Sequence, residues 1–119
     1  MKEVKNIDVA LDLFEASANK HAVATEIGDY RSANKAYADI IKSLSYIRSQ
    51  SEIAKLRSRL SSESVGVRLW SATCLLLEGE GEPVKVLESI ASNEKLGIHS
   101  LTARVTLDEW KKGNLKILG

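Results

Sequence analysis

Residues 65–77 have the sequence VGVRLWSATCLLL, which is apolar on almost every side of a helical turn. The thin polar sector that remains is formed by Arg68, Ser71 and Glu78. A helix that is apolar nearly all round is typical of one surrounded by other helices. We therefore expect this helix, which begins at Ser62 or Ser64, to lie in the middle of the molecule.

Two long segments precede this stretch without the glycine and proline residues that interrupt helices. The first ends at Gly28, which can close a helix, and the second opens at Asp29, which can cap one. Apolar residues recur in both at the three- and four-residue spacing of one helix face. These stripes are Ile7, Leu11, Phe14, Ala18, His21 and Ala22 in the first segment, and Ala33, Tyr37, Ile40, Ile41, Leu44 and Ile47 in the second. The short link predicts an antiparallel pair.

Three shorter helices complete the predicted architecture. One precedes the central helix, from Ile53 to Leu60. Another begins at Pro83, because proline fits the first helical turn, where its missing N–H is not needed. The last extends from about Ile98 to Lys112. Its expected inward residues are Leu101, Val105, Leu107 and Trp110, and the residues expected to fold back after it are Leu115, Ile117 and Leu118.

These elements predict an all-α fold in a single helical domain, residues 1–119, since the length suits one domain. About six helices follow one another in three antiparallel hairpins, and no strand pair is indicated. This pattern is typical of a small α-solenoid or a compact helical bundle. Aromatic residues are few, so Leu, Ile, Val and Ala should build the core, with Trp70 and Trp110 as its two large structural side chains.

Two segments carry a resemblance to a known repeat. Residues 62–72, followed by residues 82–90, resemble a HEAT-type repeat, in which a Val-Arg pair opens the first helix. Over about residues 9–115 the chain is similar to a bacterial family of unknown function with HEAT-like helices, on the strength of Val67-Arg68-Leu69 and Trp110-Lys111-Lys112.

This resemblance implies a right-handed superhelical bundle of the size of the immunity proteins of bacterial toxin systems. It brings no catalytic residues. It implies a structural role for Arg68, which would bond a neighbouring repeat through Glu63 or another carboxylate.

Charge and composition argue against a nucleic-acid-binding protein and against a membrane protein. The net charge is +1, with ten basic and eight acidic residues in residues 1–60 and seven and eight in residues 61–119. Neither half has the basic excess typical of a nucleic-acid surface. The longest apolar run, near Cys74, is far too short to span a bilayer. A single cysteine and an N-terminus without the apolar run of a signal peptide predict a cytoplasmic protein with no membrane contact.

The sequence offers no convergent set of catalytic, cofactor-binding or metal-binding residues. Zinc needs three or four ligands, whereas His21 and His99 lie on different predicted helices and Cys74 has no second cysteine. A Cys74–His99 nucleophile pair would require the fold to join them, and burial in the most apolar helix would silence the thiol. We therefore predict a chain that is not an enzyme and holds no cofactor.

Two charged surfaces remain as candidates for binding a partner. An acidic line on the first helix contains Asp8, Asp12 and Glu15, with Glu26 further along; it would suit a basic protein partner, unless it is simply a solvated face. Tyr46, expected to be exposed opposite the apolar stripe of its helix, could anchor such an interface.

The leading hypothesis is therefore a non-catalytic protein-interaction module, an immunity or regulatory protein with an unidentified protein partner. The alternative is nucleic-acid binding through a basic surface from Arg48 to Arg59, which also contains Lys55 and Arg57. This alternative is weaker because no aromatic residue is interleaved for base stacking. Apolar faces on the terminal helices would also permit pairing with a second copy.

Overall fold

The computed structural model describes residues 4–116, and in this part of the chain it contains helices and no β-strand. The all-α prediction is confirmed, and the arrangement belongs to the helical-bundle class. The α-helices are α1 Ile7–Ile27, α2 Tyr30–Ser49, α3 Val65–Leu77, α4 Pro83–Ala91 and α5 Ile98–Lys111. Two 3₁₀ segments cover Ile53–Ser61 and Glu94–Leu96. None of the helices within residues 4–116 has the length and apolar character needed to cross a bilayer.

The ends of α1 and α2 follow from their capping residues. The Asn6 side chain accepts a hydrogen bond from the first turn of α1. Gly28 ends the helix at φ 74°, a left-handed conformation that costs glycine little. The Asp29 carboxylate then accepts from the Ser32 N–H at 3.1 Å and opens α2. The predicted roles of Gly28 and Asp29 are therefore confirmed.

The helix before α3 is a 3₁₀ helix, tighter than an α-helix. Its buried residues, Ile53 and Leu56, are three residues apart, which matches the three-residue turn of this helix type. Three residues after this helix ends at Ser61, Ser64 caps α3 and accepts from the Val67 N–H at 3.3 Å. Of the two serines from which the sequence could start the central helix, Ser64 is therefore the capping residue.

Helix α3 lies between two hydrophobic clusters, as the sequence predicted. Val67, Cys74 and Leu75 pack into a first cluster with α1, α2 and the 3₁₀ helix, whose largest buried side chains are Phe14, Ile40, Leu44, Ile47 and Leu56. Leu69, Ala72 and Leu76 pack into a second cluster with α4 and α5, formed around Leu87, Ile90, Ala103 and Leu107. Because both clusters share α3, this helix connects the two parts of the core.

Gly66 sets the distance between α1 and α3. A Cβ atom at this position would lie 2.4 Å from the Ala18 carbonyl oxygen and 2.7 Å from the Ala22 Cβ. Both separations are shorter than a van der Waals contact permits, so only glycine allows this approach. The two alanines of α1 are small for the same reason. This close crossing brings neighbouring side chains of the two helices into contact, such as His21 of α1 and Trp70 of α3.

Helix α5 buries only part of the apolar face that the sequence predicted. Leu101 and Val105 were expected inside, but they are 54% and 52% exposed. The buried residues are His99, Ser100, Ala103 and Leu107. The small Ser100 lets α5 approach α4, where its hydroxyl donates to the Ala91 carbonyl at 2.7 Å. A polar side chain that keeps its hydrogen bond can be buried at low cost. Helix α5 therefore packs against α4 through its small residues Ser100 and Ala103, and Leu101 and Val105 remain exposed.

The other residues near the C-terminus that were expected to pack against the core contact the second cluster wherever the structure describes them. Leu107 is buried, and Trp110 and Leu115 are partly buried against the second cluster. The predicted folding back of the chain end is thus seen for Leu115, whereas Ile117 and Leu118 lie outside the described residues.

Candidate binding cleft

A cleft of about 310 Å³ opens where α1, α3 and α5 converge, with α2 at one side. Its lining is mainly apolar and aromatic, with several threonines. The residues around it are His21, Ala22, Thr25, Tyr37, Gly66, Leu69, Trp70, Thr73, His99, Thr102, Thr106, Leu115 and Lys116. We call this site the threonine-aromatic cleft.

Three rings form one wall of the cleft. The Trp70 ring meets His21 edge-on, with centroids 5.6 Å apart and planes at 85°. Tyr37 is tilted against Trp70 at 5.8 Å and against His21 at 6.4 Å. Such tilted and edge-on arrangements place the positive edge of one ring against the negative face of another. The wall is therefore held in place by its own ring contacts.

The threonines of the cleft use their hydroxyl protons within their own helices. Each hydroxyl donates to the carbonyl four residues earlier, at distances between 2.7 and 3.0 Å: Thr25 to His21, Thr73 to Leu69, Thr102 to Ile98 and Thr106 to Thr102. A hydroxyl has one proton and two lone pairs. These side chains can consequently offer a ligand only methyl groups and hydrogen-bond acceptors.

A histidine–carboxylate contact joins α1 to the start of α5 beside the cleft. His99 Nε2 lies 2.8 Å from Glu26 Oε1, and the imidazole is 5% exposed. An ionised carboxylate only accepts hydrogen bonds, so the histidine donates. Burial lowers the pKa of His21 in the same cleft, and the charge of His99 lowers it further. Both effects favour an uncharged His21 imidazole.

The predicted acidic line is divided by the fold. Asp8 and Asp12 are exposed on α1. Glu15 accepts a hydrogen bond from Arg59 Nε at 2.9 Å, and Glu26 accepts one from His99. Two of the four carboxylates therefore serve contacts inside the molecule.

The predicted basic surface is also largely occupied by ion pairs. Lys55 lies 3.6 Å from Glu52. Arg57 pairs with Glu80, with Glu82 at 3.9 Å, and Arg59 pairs with Glu15. Arg48 is exposed and lines a shallow groove that also contains Glu78 and Glu80. The acidic and basic surfaces proposed from the sequence thus partly neutralise each other.

Tyr46 and Arg68 differ from their predicted environments. Tyr46 was expected to be exposed, but it is half-buried against the first cluster, and its hydroxyl donates to the Lys5 carbonyl at 3.3 Å. Arg68 was expected to bond a carboxylate. It donates instead to the backbone carbonyls of Ser62 and Glu63, at 2.7 and 3.1 Å. These carbonyls precede α3, so Arg68 fastens the loop that leads into its own helix.

The residues considered for nucleophilic or metal chemistry lie in unsuitable surroundings. Cys74 is 1% exposed, and burial raises the pKa of its thiol to about 12. The prediction that Cys74 is buried is confirmed, and a raised thiol pKa lowers the fraction of reactive thiolate. Within residues 4–116 there is no cluster of three or more histidine, cysteine or acidic side chains arranged to hold a metal ion.

Sequence reasoning did not find the threonine-aromatic cleft, although it noticed several of its residues individually. His21 was placed on the inward stripe of the first helix and Trp70 in the core, but His99 was treated as remote. The missing information was the rotation of α5, which places His99 against α1. The threonines of α5, spaced four residues apart at Thr102 and Thr106, were the one available signal that this face differs from an ordinary apolar side.

Comparisons of the chain with protein-family models, with curated proteins and with solved structures give no match.

Proposed function

We propose that this chain is a non-catalytic protein-interaction module that contacts its partner through the outer face of α5. One observation carries the proposal: Ile98, Leu101 and Val105 are 46%, 54% and 52% exposed. They are spaced at i, i+3 and i+7 and so form one stripe along the helix. Contiguous exposed apolar side chains on a folded protein commonly mark an interaction site. We call these three residues the α5 stripe.

The position of the α5 stripe supports this assignment. Thr102 and Thr106 of the same helix line the threonine-aromatic cleft, so the stripe borders a concave surface. An apolar segment of a partner protein can lie along the α5 stripe and bury the three side chains of the stripe, with Leu101 at the centre of the contact. Burial of large apolar side chains is the main source of binding energy in such interfaces.

We further propose a HEAT-like architecture and a biological role for this chain. Successive helix pairs are in contact in chain order, namely α1 with α2, the 3₁₀ helix with α3, and α4 with α5. This order supports a HEAT-like solenoid built from hairpins. The role we propose is that of an immunity or regulatory protein in the bacterial cytoplasm, with exposed Asp8 and Asp12 as a secondary acidic contact for a basic partner.

Nucleic-acid binding through Arg48–Arg59 is the weaker alternative. Phosphate contacts need lysine and arginine side chains whose charges are available. Three of the four basic residues of this surface already face carboxylates. The interaction would show itself as retention of DNA that falls as the salt concentration rises.

The proposal is tested by capture of partners from the native host with matched variants. Wild-type protein and the variants Leu101→Asp and Ile27→Asp are used as baits. Ile27 is 71% exposed on α1 and lies outside the α5 stripe, so its variant controls for a new surface charge. We expect a discrete partner that wild type and Ile27→Asp retain and Leu101→Asp loses. Equal retention by all three baits would refute the assigned surface.

Sedimentation of the same three proteins tests self-association. If the α5 stripe instead pairs two copies of the chain, wild type will sediment as a dimer and Leu101→Asp as a monomer. A monomeric wild type that still captures its partner supports the proposed function.

A further inference from the structure

The threonine-aromatic cleft has the size of a small-molecule site. Pockets for small ligands begin at roughly 300 Å³, and this cleft measures about 310 Å³. That volume accommodates a molecule of one aromatic ring. The wall formed by His21, Tyr37 and Trp70 offers the ring contacts that such a molecule prefers.

Two polar side chains of this wall have no hydrogen-bond partner in the part of the chain that the structure describes. Among residues 4–116, neither the ring nitrogens of His21 nor the indole N–H of Trp70 makes a hydrogen bond. A neutral imidazole has one donor and one acceptor, and an indole has one donor. The threonine hydroxyls add acceptors, because their protons are already donated to backbone carbonyls. The cleft is thus able both to donate to a bound molecule and to accept from it.

The charges around the cleft favour a neutral occupant. Of the two histidines in its lining, His21 is kept uncharged near neutral pH because burial lowers its pKa, and His99 is held by Glu26. Glu26 is bonded to His99 at the same site, so a carboxylate on the ligand would find a like charge nearby. A cationic ligand would meet the like charge of Lys116, an exposed residue of the lining, so the charged side chains near the cleft have both signs and favour neither an anion nor a cation. A hydroxyl group, which donates and accepts without carrying charge, matches this lining best.

We propose that the threonine-aromatic cleft binds a small neutral phenolic molecule, with its ring against Trp70 and its hydroxyl among His21 and the threonines. The cleft lies beside the α5 stripe but contains none of its three residues, and this proposal does not depend on the proposed protein interaction. A single-ring ligand with one hydroxyl uses both the ring wall and the unpaired polar groups. A purely apolar ligand would leave those groups unpaired.

The test is a titration of isotopically labelled protein, followed through the indole N–H resonances of its two tryptophans. Phenol is the probe. Anisole replaces the hydroxyl with a methoxy group, which cannot donate, and benzoate replaces it with a charge. Trp110 packs against the second cluster and does not line the cleft, so its resonance is an internal control.

We expect phenol to shift the Trp70 resonance saturably and to leave Trp110 unchanged. Anisole should bind about two- to tenfold more weakly, the effect of one hydrogen bond, and benzoate should give no saturable shift. The absence of saturation with phenol, or equal shifts at both tryptophans, would overturn the site. Equal affinities for phenol and anisole would overturn the role of the hydroxyl.

Variants separate this inference from the proposed function. His21→Phe keeps a ring in the wall but removes its nitrogens, so the preference for phenol over anisole should shrink toward equality. Tyr30→Ser, at a position 80% exposed and outside the cleft, should leave both affinities unchanged. Leu101→Asp should lose the protein partner and retain phenol. A preference that survives His21→Phe unchanged would contradict the assigned hydrogen bond.

Discussion

The two hydrophobic clusters on either side of α3 are built differently. The first is formed by α1 and α2, of 21 and 20 residues, together with the 3₁₀ helix. The second relies on α4 and α5, of 9 and 14 residues. In the predicted stripe of α2, Ile40, Leu44 and Ile47 are buried, whereas Leu101 and Val105, two of the residues expected on the inward side of α5, are exposed. Over five turns the hydrophobic pattern determines the inward face; over four turns or fewer, a few close contacts can override it.

The largest expected effects come from removing a central side chain from each cluster. Phe14 and Leu87 are both fully buried. Replacing them with alanine should lower the free energy of unfolding by about 4 kcal/mol for Phe14→Ala and about 3 kcal/mol for Leu87→Ala, because each leaves a cavity. Urea titrations followed by circular dichroism measure both values.

The same pair of variants tests whether α3 couples the clusters. We expect the Trp70 and Trp110 indole resonances to disappear together during unfolding of either variant, because both clusters share α3. Loss of the Trp110 signal well before the Trp70 signal in Leu87→Ala would show that the second cluster unfolds on its own.

A somewhat smaller effect is expected at the crossing of α1 and α3. Alanine ordinarily favours a helix over glycine by about 1 kcal/mol. In Gly66→Ala the added Cβ would overlap the Ala18 carbonyl, and separation of the helices should cost a net 2–3 kcal/mol, roughly the range for overpacking. Gly81→Ala is the matched control, since a Cβ atom added there would have open space within 4 Å. It should stay within about 0.5 kcal/mol of wild type, and a stabilised Gly66→Ala would disprove the close packing.

Two leucines of α5 test the orientation of this helix directly. Leu107 is 8% exposed and Leu101 is 54% exposed. Leu107→Ala should therefore lower the free energy of unfolding by about 2 kcal/mol, at the low end for a buried leucine. Leu101→Ala should change it by less than about 0.5 kcal/mol. Thermal or urea unfolding measures both changes. Similar losses of unfolding free energy in the two variants would show that Leu101 is buried, as the sequence pattern predicted.

These contrasts show which features a single sequence can reveal. Helix existence follows from local signals such as Gly28, Asp29 and Pro83, which act within one or two turns. The burial of α3 follows from composition alone, because its apolar residues cover most of the helix surface. The all-α class and the approximate helix boundaries were therefore predictable.

Features that depend on how helices meet were not predictable. The role of Gly66 requires Ala18 and Ala22, which lie more than forty residues earlier in the chain. The rotation of α5 depends on the bond from Ser100 to Ala91 and on the contact between His99 and Glu26. The threonine-aromatic cleft results from both, so its composition could not be assembled from periodicity.

The smallest expected effect concerns His21, at the edge of the first cluster. Its pKa in the folded protein lies below the ordinary value of 6.5, because burial and then the charge of His99 disfavour the protonated form. The unfolded chain therefore takes up a proton that the folded chain resists, and stability falls as pH drops through 6.5 toward the lower folded pKa. His21→Gln removes this contribution. We expect the urea midpoint of wild type, relative to that of His21→Gln, to be higher at pH 7.5 than at pH 5.0. Subtracting the variant cancels the other titrating groups, so a difference that stays constant or grows on acidification would contradict the burial of this imidazole beside Trp70.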